Sequence, residues 1–264
     1  MPADGEKRRY NLLSSTDHPI SGDTKISRYL TFEKFVWLIE KSALYHTRLD
    51  RLGDPFEGSV TRPYARKRDS GEIEGYMPLP QYEGVNNIRL MLCTFVSCWH
   101  ASPVESAAMW KLYSREDAGV AVVSTPARMR DAVDVSSYRT AWIQPVEYLD
   151  FEKDDMTLPF AKRAMPGLVK RKSFEHEKEV RALIRIEEYP EDAKLIFSPE
   201  WVQGLAETMP PGISASVDLP RLIEGIHVSP LAGSWFVDLV RALVERHGLA
   251  GLVRKSGLLG DPVF

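Results

Sequence analysis

The sequence predicts a single α+β domain in which a mixed sheet system is packed with helices. Three observations carry this. Val180, Ala182, Ile184 and Ile186 recur with a period of two, so Glu179 to Glu187 reads as a half-buried strand. Phe32, Phe35, Val36 and Ile39 fall at i, i+3, i+4 and i+7, the inner stripe of a helix. The tail reads as strand, helix, strand: Leu222–Val228, Trp235–His247 closed by Gly248, and Leu249–Arg254. No internal repeat, low-complexity tract or linker divides the chain, so residues 25–264 read as one domain. Residues 1–24 mix charge, Ser, Pro and Gly and read as a flexible arm.

The remaining elements follow in order. Ile26–Leu30 is a short strand carrying Arg28 and Tyr29, and Thr31 stands where it can cap the helix over 31–42. Ala43–Thr47 is extended again. In Asp54-Pro55-Phe56-Glu57-Gly58, Pro55 fixes its own φ and Gly58 permits a turn. That loop is expected to bury Phe56 and hold Asp54 and Glu57 on its rim. Residues 59–88 read as a surface excursion, a short helix and then a long loop. Arg89–Trp99 is an apolar, central strand. Ser102-Pro103-Val104-Glu105 has the pattern of a helix start, with Met109, Trp110 and Tyr113 inside. Gly119–Ser124 is a buried strand, Thr125-Pro126 opens a short helix, and Trp142–Leu149 is a strand. Phe160–Lys172 is a helix whose Lys162, Arg163, Lys170, Arg171 and Lys172 make a basic face.

The chain has 264 residues, ample for a core without disulfides or metals, and a formal charge of −3, so no global field draws it to nucleic acid. Its two cysteines, Cys93 and Cys98, are five apart on one strand and so point to opposite faces. Two unpaired thiols suit a reducing cytoplasm. The N-terminus lacks the apolar core of a signal peptide, and no apolar run is long enough to span a membrane.

Chemistry concentrates in Phe174-Glu175-His176-Glu177-Lys178-Glu179-Val180-Arg181. If the strand begins at Glu177, then Glu177, Glu179 and Arg181 share the face opposite the apolar one. The two carboxylates then stand roughly 7 Å apart. Like charges raise one pKa and the guanidinium lowers the other, which keeps one carboxylate ionised beside a proton donor. An exposed ion pair on a solvated strand face gives the same pattern.

Other chemistries lack their motifs. No phosphate loop, dinucleotide fingerprint or nucleophile elbow occurs. His18, His46, His100, His176, His227 and His247 form no H-x-x-x-H pair, so no metal is expected. Cys98 and His100 share a strand face and leave a Cys–His dyad open.

Four pieces taken together resemble a bacterial family catalogued as domain of unknown function 2971. They are Arg28-Tyr29, Asp54-Pro55-Phe56-Glu57-Gly58, Met109-Trp110 with Tyr113 and Gly119-Val120, and Phe174-x-x-Glu177-x-Glu179-x-Arg181. The resemblance runs from about Tyr29 to about Leu258, with Leu52-Gly53 and Phe174 departing from the family's usual residues. It is also similar to the Arg, Ser, Glu-x-Glu order of ADP-ribosyltransferases. That likeness implies an ADP-ribosyltransferase-like fold and NAD as co-substrate. Arg28 would hold the dinucleotide phosphate, with Tyr29 and Arg181 beside it, and Ser97 would brace the nicotinamide ribose. Glu179 would stabilise the cationic sugar, and Glu177 would activate an acceptor, protein or nucleic acid. Asp54, Phe56, Glu57, Trp110 and Tyr113 complete the expected cleft. Two alternatives stay open: a non-catalytic module binding a nucleotide, peptide or nucleic acid, and a Mg²⁺-dependent nuclease or phosphodiesterase using Asp54, Glu57, Glu177 and Glu179.

Overall fold

The computed structural model describes residues 9–12, 20–73, 80–114, 117–156 and 167–260. They form a single mixed α/β domain. The strands are β1 (Asn11–Leu12), β2 (Ile26–Thr31), β3 (Ala43–Arg48), β4 (Thr94–Ala101), β5 (Gly119–Ser124), β6 (Thr140–Pro145), β7 (Glu147–Leu149), β8 (Val169–Arg171), β9 (Glu179–Arg185), β10 (Gly212–Ser216), β11 (Gly225–Val228) and β12 (Val253–Lys255). The helices are α1 (Phe32–Lys41), α2 (Arg62–Asp69), α3 (Pro80–Leu92), α4 (Ala107–Tyr113), α5 (Pro126–Ala132), α6 (Pro199–Thr208), α7 (Leu219–Leu222) and α8 (Ser234–Glu245).

The main sheet runs β1-β6-β9-β4-β2-β5-β11-β12. Its end pairs, β1 with β6 and β11 with β12, are parallel; the others are antiparallel. β4 is the strand that places the site. One of its edges takes β9 along its length, from Thr94 opposite Arg185 to His100 opposite Glu179. The other edge is shared. β2 meets its far end, with Ser27 opposite His100, and β3 meets its near end, with Thr47 opposite Val96. Between these contacts β2 leaves to pair β5 and β3 leaves to pair β10, so the sheet forks. Helix α1 bridges the two arms and ends at Ser42, whose φ of 44° turns the chain back into β3.

Both faces of β9 are covered. Val180, Ala182 and Ile184 lie in the main core with Ile26, Phe35, Trp99 and Phe236, while Leu183 packs in a second cluster with Leu49, Val96 and Leu168. The half-buried strand expected from the alternation is therefore buried on both sides.

Several boundaries differ from the sequence reading, each for a local reason. Arg89 to Leu92 end α3 rather than open β4, because Cys93 N–H donates to Arg89 O, a helical bond, and the Thr94 hydroxyl then closes on Leu90 O. A continuous apolar run has no period to separate the two states. α4 is capped by Ser106, whose hydroxyl accepts from Met109 N, whereas Ser102 closes a local turn with Val104. The run Trp142–Leu149 divides after Pro145, which has no N–H to donate, and β7 joins β8 in a separate two-stranded sheet. Of the basic helix expected over Phe160–Lys172, residues 160–166 lie outside the described residues. Val169–Arg171 form β8, and Lys172–Glu177 form a 3-10 turn. Leu222 closes helix α7 rather than opening β11, since the Asp218 side chain caps that turn. The expected flexible arm is anchored at Tyr10, which is buried in the main core beside β1.

Candidate functional site

The fork opens on a cleft of about 500 Å³. It is large enough for a nucleotide-sized molecule. The four motif pieces meet there: Arg28 and Tyr29 from β2, Asp54 and Glu57 from the loop after β3, Met109 and Tyr113 from α4, and Phe174, Glu177, Glu179 and Arg181 from the segment entering β9.

The floor is a buried ionic network centred on Arg181, which is 0% exposed. Its Nε donates to Glu179 Oε1 at 2.7 Å and its Nη2 to Glu179 Oε2 at 3.0 Å. Nη1 and Nη2 donate to Glu57 at 2.8 and 2.6 Å, and Nη1 also to Gly167 O at 2.6 Å. Two carboxylates and a carbonyl thus use all five N–H groups of the guanidinium. Gly167 must be glycine: its φ is 88°, and a Cβ there would sit 2.8 Å from Leu49 Cδ1.

Lys170, from β8, spans the two acids of the Glu-x-Glu pair. Its Nζ donates to Glu177 Oε2 and, at 3.2 Å, to Glu179 Oε2. The ammonium also lies 4.7 Å from the centre of the Phe174 ring. Glu177 is not on the strand. It ends the 3-10 turn, and Lys178 reverses the chain at φ 40°, a conformation L residues rarely adopt. That reversal lets Glu177 and Glu179 converge on one ammonium. Tyr113 O–H donates to the other oxygen of Glu177. The expected exposed strand face is therefore a buried one, with Glu177 and Glu179 at 5% and 6% exposure.

Burial pushes the Glu179 carboxyl up, but the charge and hydrogen bonds of Arg181, with Lys170, outweigh it and hold its pKa at about 2. Glu179 is a permanent anion at neutral pH rather than a proton donor. Burial likewise drives up the Tyr113 phenol, and its bond to Glu177 adds to this, so it remains a neutral donor. Burial and then Glu179 raise the Cys98 thiol well above its usual range. His100 directs Nδ1 at the carbonyl of Glu177, 2.6 Å away. Cys98 and His100 therefore answer to different partners and make no activated dyad.

Across the cleft, Arg28 stands in the fork. Its one hydrogen bond among the described residues is from Nη2 to Tyr45 O at 3.3 Å. Burial is the largest influence on this guanidinium and lowers its pKa, with Cys98 and Tyr10 opposing. The exposed Lys34 of α1 lines the same wall. The floor holds three carboxylates against two cations, one net negative charge, and Arg28 lines the same cleft from the fork.

Three expected cleft residues are elsewhere. Ser97 lies on the core face of β4, with Trp99, whose Nε1 donates to its hydroxyl at 3.1 Å; parity puts it opposite Cys98 and the cleft. Trp110 is buried against Tyr29, edge to face at 5.0 Å, and its Nε1 donates to Glu105. Phe56 is not buried but 41% exposed, beneath the guanidinium of Arg171 at 4.3 Å. Arg171 also donates to both oxygens of Asp54 at 2.7 and 3.2 Å. Lys170 and Arg171 were legible only as part of a basic surface, yet both are engaged with carboxylates at the cleft. Among the described residues no group of three or more His, Cys, Asp or Glu is placed to hold a metal ion.

No family model, curated protein or solved structure matches this chain.

Proposed function

We propose that the cleft binds a nucleotide-type small molecule whose anionic part is held by Arg28. One observation carries this: four segments far apart in sequence deliver their motif residues to a single cleft, where one guanidinium keeps most of its donors uncommitted. A guanidinium in that state suits a phosphate or carboxylate. Tyr29, Tyr113 and Phe174 give the wall aromatic surface for a base or sugar. The likeness to the bacterial family of unknown function rests on these same residues and is part of the proposal.

A second reading keeps NAD as the ligand and cleaves its nicotinamide bond, with transfer to an acceptor, in an ADP-ribosyltransferase-like fold. Arg28, Glu177 and Glu179 line the one cleft, and the permanently ionised Glu179 suits stabilisation of a cationic sugar. Against it, Ser97 lies on the far face and Arg181 already holds both oxygens of Glu179. A divalent cation would have to displace Lys170, Arg171 or Arg181 from the same acids, which disfavours the nuclease reading.

Calorimetry with AMP, ADP-ribose and NAD tests the binding reading. The expected result is binding by the native chain and a loss of about ten- to a hundredfold in Arg28→Ala, the worth of a charge-assisted contact. No heat with any of the three would refute it. Nicotinamide release separates the two readings. Release by the native chain that drops about 10²–10³-fold in Glu179→Gln favours the transferase; binding without release favours the module.

A further inference from the structure

The guanidinium that receives the ligand's anion is held from behind by residues outside the cleft. The one hydrogen bond of Arg28 among the described residues crosses the fork to Tyr45 O, at 3.3 Å. The peptide that carries this oxygen continues into His46 of β3, and His46 is locked at both ring nitrogens. Nδ1 lies 3.0 Å from Leu44 O, which can only accept, so the imidazole proton is on Nδ1. Nε2 is then the acceptor, and the Tyr10 hydroxyl donates to it at 2.5 Å. Both side chains are buried, His46 at 0% exposure and Tyr10 at 2%.

Alternation puts Arg28 with Ile26 and Leu30 on the core side of β2, and His46 with Leu44 on the core side of β3. Arg28 reaches the cleft through the gap between the two arms. His46 and Tyr10 stand behind it, close enough for its charge to act on both rings. Burial first, and then that charge, keeps the imidazole neutral. Tyr10 enters beside β1, which is four strands from β3 along the path β1-β6-β9-β4-β3. Its hydrogen bond therefore ties the edge of the sheet to the arm of the fork that carries Tyr45 O.

Little else seats this segment. β1 is two residues long and meets β6 only at Trp142 and Ile143, so residues 9–12 depend on Tyr10 for their anchor. With Tyr10 withdrawn, His46 Nε2 is left buried without a donor. The imidazole is then free to turn, or to take a proton beside Arg28. Either change disturbs the setting of the guanidinium.

We propose that Tyr10 is a positioning residue for the anion site, acting through His46 on Arg28, and that occupation of the cleft is coupled to the seating of residues 9–12. This rests on the anion-binding reading of Arg28 and deepens it. The coupling is reciprocal: whatever Tyr10 adds to ligand affinity reappears, with ligand bound, as tighter seating of β1.

The test uses AMP and the intact chain. In calorimetry Tyr10→Phe, which keeps the ring and removes the hydroxyl, is expected to weaken AMP by about three- to tenfold, the usual contribution of one neutral hydrogen bond. Ile143→Val, a core change at the partner of Leu12, should lower the urea midpoint and leave AMP affinity within about twofold. A second measurement needs no variant. Saturating AMP should slow hydrogen exchange of the β1 amides and leave those of β12, at the other end of the sheet, unchanged. AMP that binds Tyr10→Phe as tightly as it binds the native chain overturns the proposal. So does β1 exchange that AMP leaves unchanged, or that it slows no more than β12. An equal affinity loss in Ile143→Val also overturns it, since the effect would then be a general loosening of the sheet. Arg28→Ala reports on the cleft reading separately. A loss of AMP there, with none in Tyr10→Phe, leaves that reading standing; no binding of AMP by the native chain ends both.

Discussion

Removing the Arg181 guanidinium would strand Glu57 and Glu179, each nine-tenths or more buried, without their main cation. Breaking a buried pair from one side typically costs about 3–5 kcal/mol. Arg181→Met is therefore expected to lower the urea midpoint severely. Glu179→Gln should cost less, about 2–3 kcal/mol, because Glu57 remains to neutralise the guanidinium. On an exposed strand face the same substitution would be nearly neutral. Unchanged midpoints in both variants would show that the network contributes nothing to stability. Sequence alone identified the residue types and their neighbourhood, since Glu177, Glu179 and Arg181 do meet. It missed the burial, because the cover comes from Gly167, Lys170 and Glu57, and no local pattern announces long-range cover. Ser97 illustrates the complementary failure: a one-residue change of parity separates a cleft residue from a core one.

At the level of elements, periodicity read correctly where one face was apolar and the other was not. α1 and β5 fall within a residue of expectation. Where the run was apolar throughout, as at Leu90–Leu92, or where strong cap residues competed, as at Ser102 and Ser106, local chemistry left two answers and tertiary packing chose. The inner stripe of α4 is a case where packing decides role as well as position. Trp110 sits under Tyr29 and Ala121, away from the cleft. Trp110→Ala is expected to cost about 3–5 kcal/mol in a urea melt while leaving AMP affinity per folded molecule unchanged. A stable variant with lost AMP binding would instead make Trp110 a ligand platform.

For the whole molecule, acid should act early. Burial and the nearby Arg28 depress the His46 pKa from 6.5 to about 3. The unfolded chain therefore takes up this proton first. The stabilisation is fully present above about pH 6.5 and is lost as pH falls toward 3, on the order of 4 kcal/mol over that range. Glu179 follows by the same sign, retaining its contribution above about pH 4.5 and losing it toward pH 2. The urea midpoint should decline steadily from pH 6.5 downward, and His46→Gln should flatten the upper part of that slope. A midpoint level from pH 7 to pH 5 would contradict the assignment.

His46 shares a buried hydrogen bond with Tyr10, which enters the core beside β1. β1 pairs with β6, so Asn11 and Leu12 emerge from the ribosome before β2 to β5 and before their own partners, Trp142 and Ile143. β6 in turn leans on β9, which is made later still. During synthesis, at roughly 5–20 residues per second, this edge of the sheet stays open for seconds to tens of seconds. Strand β1 must wait for β6 and β9, and until then Tyr10 lacks the sheet edge that holds it against His46.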